Sequence, residues 1–334
     1  MTNAGDNPTQ YVLDEAMGYV YSAALRAVAL LDVAEHLAGG PRYPGELAER
    51  TGSYGPFLRR VLRLLATKEI FREDAEGRFH LTPRANVLRA GVPGTVRAGV
   101  LAVTHEVYWL PTHDLVDAVR HGEPAFDRRY GQPFFDYLAA NPSVGAVFNE
   151  GMANFSAGEF DRIADGYDFP DSGVLVDVGG GFGGLLLAIL RARPGLRGVL
   201  LDRESVVAGN VLEPVAERCE VVAGNFFDAV PPGDFYTVKN VLHDWTDDEC
   251  VRILENCRRA MRPGAKLLAV DVVLPTGNEP HFGKVLDLVI MLLLTGQERT
   301  LPQFDAIFSR AGLRIVRVIE TAGAFALIEA EPDS

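Results

Sequence analysis

Two hydrophobic rhythms divide the chain. In the first half, apolar residues recur at helical spacing over 12 to 38 and again over 56 to 67, where Phe57, Leu58, Val61, Leu62 and Leu65 share one face. From residue 173 short apolar runs take over: VLVDV, GVLLD, CEVVA, FYTVKNVL, KLLAVDVVL, RIVRVIE and AFALIEAE. Helical patterns separate most of them, and strands alternating with helices predict a parallel sheet covered on both faces. Only a Thr-Ala-Gly turn parts the last two runs, which predicts an antiparallel hairpin, because a parallel pair needs a crossover.

Within the first half, GELAERT and PFLRRVLRLLATKEI read as two helices and FREDAEGRFHLTP as a short strand pair turning at Glu76-Gly77. That is the order of a winged helix-turn-helix. Between 98 and 166 the pattern stays helical, with Pro111 expected to kink or break it and Gly131, Pro133 and Pro142 as punctuation. The expected division is a winged-helix-like module over 1–97, a helical connector over 98–166, and an α/β domain over 167–334 with a Rossmann-like sheet of seven strands.

Length agrees with more than one core, since 334 residues exceed the usual size of a single domain. A composition of 48% hydrophobic and 23% charged residues excludes the disordered class. The formal charge of −13 opposes binding to nucleic acid, whose affinity rests on basic side chains displacing counterions. Around Arg59, Arg60 and Arg63 stand Glu46, Glu49, Glu69, Glu73, Asp74 and Glu76, so the basic footprint of a DNA reader is missing. The alternative for the winged module is an interaction surface that closes a homodimer. No charged-then-apolar leader opens the chain, and its longest strongly apolar run, LVIMLLL at 288 to 294, is far short of a span, so a cytoplasmic location away from membranes is expected. Of the three cysteines, Cys250 and Cys257 share a helix face with Leu254 and Met261 and read as buried apolar side chains. No cysteine or histidine pair has ligand spacing, so no metal is expected.

Candidate chemistry begins at LVDVGGGFGG. Gly179, Gly180 and Gly181 permit positive backbone angles and let a ligand approach the main chain at a strand's carboxyl end. Gly179, Gly181 and Gly184 even satisfy the dinucleotide spacing GxGxxG. Asp177 separates the readings: a carboxylate beside the turn repels a pyrophosphate and suits a cofactor carrying ammonium and sulfonium charge, such as S-adenosylmethionine. Asp202 ends the next strand, where an acid can accept from both ribose hydroxyls, a helix N-cap being the structural alternative.

Several motifs in order then resemble the class I S-adenosylmethionine-dependent O-methyltransferases of the plant caffeate type and their bacterial relatives acting on polyketide, phenazine and mitomycin-like aromatics. They are RYGQPFFDYLAANPSVGAVFNEGM, LVDVGGGFGG, GVLLDRE, AGNFFDAVP, VKNVLHDWTDDECVRILENCRRAMRPG, LLAVDVVLP and TGQERTLPQFDAIFSRAGL, which together span nearly the whole chain. The resemblance implies a methyltransferase fold and a homodimer, with S-adenosyl-L-methionine as cofactor and S-adenosyl-L-homocysteine as product. On the cofactor it implies Asp202 at the ribose, Asn225 and Phe226 at the adenine, and Lys239 and Ser156 at the methionine end. Gly179, Gly181 and Arg203 would belong to the same channel. Asn225 stands where the family usually has an aspartate. Phe135, Met152, Phe155, Ile290, Met291 and Leu294 would wall an apolar acceptor slot, although each such side chain is also an ordinary core residue.

His243, in VLHDWTDDE, follows a strand and so lies at the carboxyl end of the sheet, where open α/β folds bind ligands. The acids behind it have their own explanation: Thr246 and Glu249 form a capping box, and Asp247 and Asp248 complement a helix N-terminus. A phenol of reference pKa near 10 is ionised about once in a thousand at neutral pH, a handicap of roughly 4 kcal/mol. A positioned base supplies about 10²- to 10⁴-fold. The resemblance implies that His243 is this base, flanked by Asp271 and Glu298. Asp271 is a methylene shorter than the glutamate many members carry, and Glu298 has a structural alternative in a surface pair with Arg299 or Arg310. Three function classes stay open at this level: O-methylation of an aromatic or polyketide-type hydroxyl, a different reaction on the same cofactor (hydroxylation, decarboxylation or rearrangement), and a winged-helix regulator.

Overall fold

The computed structural model describes residues 7–321, 323 and 325–333, apart from the side chains of residues 156 and 157. It falls into two compact units, one made of residues up to 106 with Glu150–Phe155, the other of Val107–Asn149 with the chain from Ser156 onward.

In the first unit the helices Pro44–Thr51 and Gly55–Ala66 precede an antiparallel pair, β1 (Phe71–Glu73) and β2 (Phe79–Leu81). Asp74 shapes the turn between these strands, its Oδ1 accepting from the backbone N–H of Glu76 at 3.1 Å and of Arg78 at 2.8 Å. Leu58, Leu62 and Leu65 enter a core with Val28, Leu37, Leu47, Phe71 and Phe79. Phe57, expected on the same face, is instead 62% exposed, with its ring edge-on to Tyr54 and under the guanidinium of Arg60. One residue turns a helix by about 100°, so a face centred on Leu58 and Leu62 leaves Phe57 at its margin. The helix Glu106–His113, in the second unit apart from its first residue, contains Pro111 and stops soon after it, as a residue without a backbone donor dictates.

The second unit is built on a seven-stranded sheet: β3 (Gly173–Val178), β4 (Leu196–Asp202), β5 (Cys219–Ala223), β6 (Gly233–Lys239), β7 (Met261–Asp271), β8 (Leu313–Glu320) and β9 (Ala326–Pro332), in the order β5-β4-β3-β6-β7-β9-β8. The first five run parallel, while β9 is antiparallel to both β7 and β8, the expected closing hairpin. Its turn lies partly outside the described residues, at 322 and 324. On one face Val176, Val178, Tyr236 and Val238 meet Cys250, Ile253, Leu254 and Cys257 of helix Asp247–Ala260 and Phe304 and Phe308 of helix Leu301–Arg310. The opposite face packs Leu175, Leu200, Phe235 and Leu268 against Leu186, Ile189 and Leu190 of helix Gly184–Ala192.

One strand ends where its apolar run continues. FYTVKNVL predicts a strand to Leu242, yet β6 stops at Lys239, because Asn240 adopts a left-handed φ of 51° and turns the chain into a 3-10 turn, Leu242–Asp244. Asparagine tolerates that conformation better than most residues. Parallel alignment then brings Gly179 after β3, Asp202 at the end of β4, Lys239 at the end of β6 and Asp271 at the end of β7 to one edge of the sheet. Among the described residues no helix is long and apolar enough to cross a membrane.

Candidate active site

The glycine turn is built by close approach. Gly179 and Gly181 have φ of 66° and 61°, which a side chain would strain. A Cβ on Gly179 would stand 2.7 Å from Val241 and 3.4 Å from the Phe226 ring, and one on Gly180 only 2.4 Å from Asp177 Oδ2. A Cβ on Gly181 would meet nothing within 4 Å among the described residues, so the turn borders open space there. Beneath it, Asp177 is 1% exposed and accepts from the Thr237 hydroxyl at 2.7 Å through Oδ1, while Oδ2 has no hydrogen-bond partner among the described residues. Burial pushes this carboxyl up to about 6 against the pull of Thr237 and Lys239.

Asp202 ties its strand to the turn, accepting from the N–H of Gly181 at 2.8 Å and of Arg203 at 2.7 Å. The short helix that follows takes Arg203, not Asp202, at its N-cap. Asn225 Oδ1 accepts from the N–H of Phe227 at 3.0 Å, and the ring of Phe226 lies between Gly179 and Trp245. Arg203 holds Phe135 twice, with its guanidinium over the ring at 5.0 Å and an N–H donated to the carbonyl at 3.3 Å. Trp245 stacks on that ring at 5.8 Å. Arg203, Phe135, Trp245, Phe226 and Gly179 thus form one continuous run. Trp245 was missed at the sequence level although it stands in the HDW motif itself, because its role depends on two rings distant in sequence.

The other expected residues are distributed as follows. Ile290, Met291 and Leu294 belong to helix Phe282–Leu293 and its cap, and Leu294 packs with Phe135 and Phe148 against Phe134. Met152 and Phe155 fall in the first unit, where the Phe155 ring covers Gly99. The side chain of Ser156 lies outside the described residues. Lys239 reaches the rings of Phe325 and Phe160 at 4.7 and 5.7 Å, and burial pushes its ammonium down to about 8 despite Asp271, Asp177 and Glu159.

His243 is 8% exposed in its 3-10 turn. Its Nδ1 meets Glu298 Oε1 at 2.7 Å, and its Nε2 lies 3.4 Å from Asp244 Oδ1. Glu298 is itself buried at 2% exposure and pairs with neither Arg299 nor Arg310, whose carboxylate partners are Asp247 and Asp248. Asp271 is fully buried nearby, and neither of its oxygens has a hydrogen-bond partner among the described residues. Burial alone would push the imidazole down, but Asp244, Glu298 and Asp271 outweigh it and hold it up to about 9. For Asp271 burial dominates and pushes the carboxyl up to about 7, against the nearby His243. The acids behind the histidine act as expected from their cap: Thr246 Oγ1 accepts from the N–H of Glu249, whose carboxylate accepts from the N–H of Thr246 at 3.0 Å.

A cofactor with hydroxyl donors and positive charge fits this edge. Asp202 is bonded to the Gly181 N–H where the turn borders open space, and among the described residues Asp177 keeps an unpartnered oxygen and no cluster that could hold a metal exists. Residues 112–314 match the model of the O-methyltransferase domain, and residues 13–91 that of the O-methyltransferase dimerisation domain. The chain belongs to the O-methyltransferase family. A phenazine O-methyltransferase of Lysobacter antibioticus is 40% identical to it over 337 residues, with 98% of each chain covered. The 8-amino-8-demethylriboflavin N,N-dimethyltransferase of Streptomyces davaonensis is 37% identical over 329 residues, covering 96% of this chain and 93% of that one. The crystal structure of CalO1, a methyltransferase of calicheamicin biosynthesis in its S-adenosylhomocysteine-bound form, superposes with a TM-score of 0.87 at 44% identity, over 98% of this chain and 99% of that one. This O-methyltransferase uses S-adenosylmethionine, and its dimerisation domain supports a homodimer.

Proposed function

We propose that this enzyme methylates a hydroxyl of an aromatic or polyketide-type small molecule, with His243 as the base that removes the hydroxyl proton. The observation carrying the proposal is the 2.7 Å bond from His243 Nδ1 to buried Glu298. An ionised carboxylate only accepts, so Nδ1 holds the hydrogen and Nε2 is left to receive a proton. Asp244, Glu298 and Asp271 hold the imidazole up to about 9, so it is a stronger base than an ordinary histidine and its neutral, proton-accepting form gains as pH rises toward that value. Once the proton has moved, the imidazolium and its three carboxylates leave the oxygen anionic and nucleophilic toward the methyl group that the cofactor supplies.

Asp202 and the Gly179–Gly181 turn would hold the ribose, Asn225 and Phe226 the adenine, and Asp177 and Lys239 with Ser156 the methionine end. Phe135, Ile290, Met291 and Leu294 would form the apolar acceptor slot. The phenazine relative supports a planar aromatic acceptor.

The test is His243→Ala, assayed by labelled-methyl transfer to a panel of hydroxylated aromatics. Turnover should fall about 10²- to 10⁴-fold while cofactor affinity by calorimetry holds, and unchanged turnover would reduce the histidine to scaffold. A second reading, transfer to an aromatic amine, is favoured by the N,N-dimethyltransferase relative. Mass spectrometry on matched hydroxy and amino acceptors separates the two by which one gains a methylene.

A further inference from the structure

We propose that Arg299 is a positioning residue for His243: its buried guanidinium fixes the backbone on both sides of the imidazole and thereby holds the His243–Glu298 bond. Arg299 is 0% exposed, among the largest fully buried side chains of the protein. Burying a guanidinium is costly unless its donors are used. Here Nη1 donates to the carbonyl of Leu242 at 2.7 Å and Nη2 to that of Trp245 at 2.8 Å, the residues just before and just after the His243-Asp244 pair. Nε and Nη2 both reach Asp247 Oδ1, at 2.9 and 2.7 Å, at the start of the helix that follows.

The other end of the clamp is equally fixed. The carbonyl of Arg299 accepts from the N–H of Leu274 at 2.9 Å, and Val273 and Arg299 form an isolated parallel bridge just beyond β7. Gly296 presses on the same turn, since a Cβ there would stand 2.1 Å from the carbonyl oxygen of His243 and 2.5 Å from the nitrogen of Trp245. Glu298 therefore rides on a segment whose distance from the histidine turn is set by Gly296 and Arg299 rather than by the imidazole itself. Only a planar fork can serve these acceptors together, and a lysine has one nitrogen for all of them.

This inference rests on His243 being the base, and its test is chosen to fail separately. Titrating the His243 imidazole by NMR in histidine-labelled enzyme, with the signal assigned through His243→Gln, reads the geometry without turnover. The groups facing that imidazole are Asp244 from its own turn, Glu298 from the clamp segment and Asp271 from the end of β7, with Arg203 acting on Asp244. In Arg299→Lys the Glu298 contact should loosen, so the imidazole should titrate about one pH unit or more lower, toward its ordinary value near 6.5. The same variant should lose about 10-fold or more in kcat with little change in KM for the cofactor. A wild-type titration curve and kcat in Arg299→Lys overturn the inference while leaving the base assignment untouched. Intact turnover in His243→Ala overturns the base assignment, and the NMR titration still decides on Arg299. Should Arg299→Lys not fold, Asp247→Asn removes the charge that anchors the guanidinium at a half-exposed position, and a downward shift supports the clamp where an unmoved one refutes it.

Discussion

Glu329 on β9 and Asp271 on the neighbouring β7 are both buried carboxylates in the same sheet, and their surroundings are opposite. Glu329 is 2% exposed and fully engaged: Tyr167 donates its hydroxyl at 2.7 Å, and Lys266 and Arg317 each approach to 2.6 Å. Although burial pushes its carboxyl up, those donors outweigh it and hold the group below its ordinary value. Asp271 has no such donors among the described residues, and burial wins. Three donors satisfy Glu329, whereas an unpartnered buried carboxyl is otherwise a cost, which supports the proposed role of Asp271 beside His243.

The largest effect that sharpens this contrast lies at Glu298, which shares the site with Asp271. Glu298→Gln keeps the volume and removes the charge, so turnover should fall about 10²-fold with the unfolding midpoint nearly unmoved. Equal losses of stability and activity would break the contrast by making the site acids structural.

Next is Glu329→Ala, expected to lose about 2–3 kcal/mol in urea unfolding while per-enzyme turnover is retained, since it strands Tyr167 and two partly exposed cations far from the histidine.

The smallest is Asp271→Asn. It should cost turnover about 10-fold and move the rising limb of kcat/KM to lower pH, because Asp271 helps to raise His243. Stability changes with pH in opposite senses at the two acids. With a folded pKa raised to about 7, Asp271 contributes stability that is present below the ordinary aspartate range and lost as pH rises through about 7. Glu329, held low, contributes stability that is present above the ordinary glutamate range and lost as pH falls below it. Asp271→Asn should therefore flatten the decline between about pH 4 and 7, and Glu329→Ala the loss at the acid end. Identical curves for the two variants would show that both acids serve the same purpose.

Local patterns carried much of this architecture. The alternation of apolar runs with helices determined the parallel sheet, and parallel strands necessarily deliver their carboxyl ends to one edge, so the strand pattern alone brings Asp202, Lys239 and His243 to the same end of the sheet. The capping box at Thr246 was legible for the same reason, its partners being three residues apart. The chemistry of the glycine turn and Asp177 likewise pointed to a cationic cofactor from residues adjacent in sequence.

What only the tertiary structure decided involves partners far apart in the chain. Glu298 as a surface ion-pair member or a buried partner of His243 is a choice between neighbours at one residue and at 55, and sequence spacing has no power over the second. The same holds for Trp245 between Phe135 and Phe226, and for Arg299, whose charge alone would have placed it in water. Even Asn240, which ends β6 early, yields to a left-handed turn that the apolar run around it conceals. Periodicity reports which face of an element is buried. The distances that set proton affinities depend on how separate elements pack, and that is settled only when the whole core has closed.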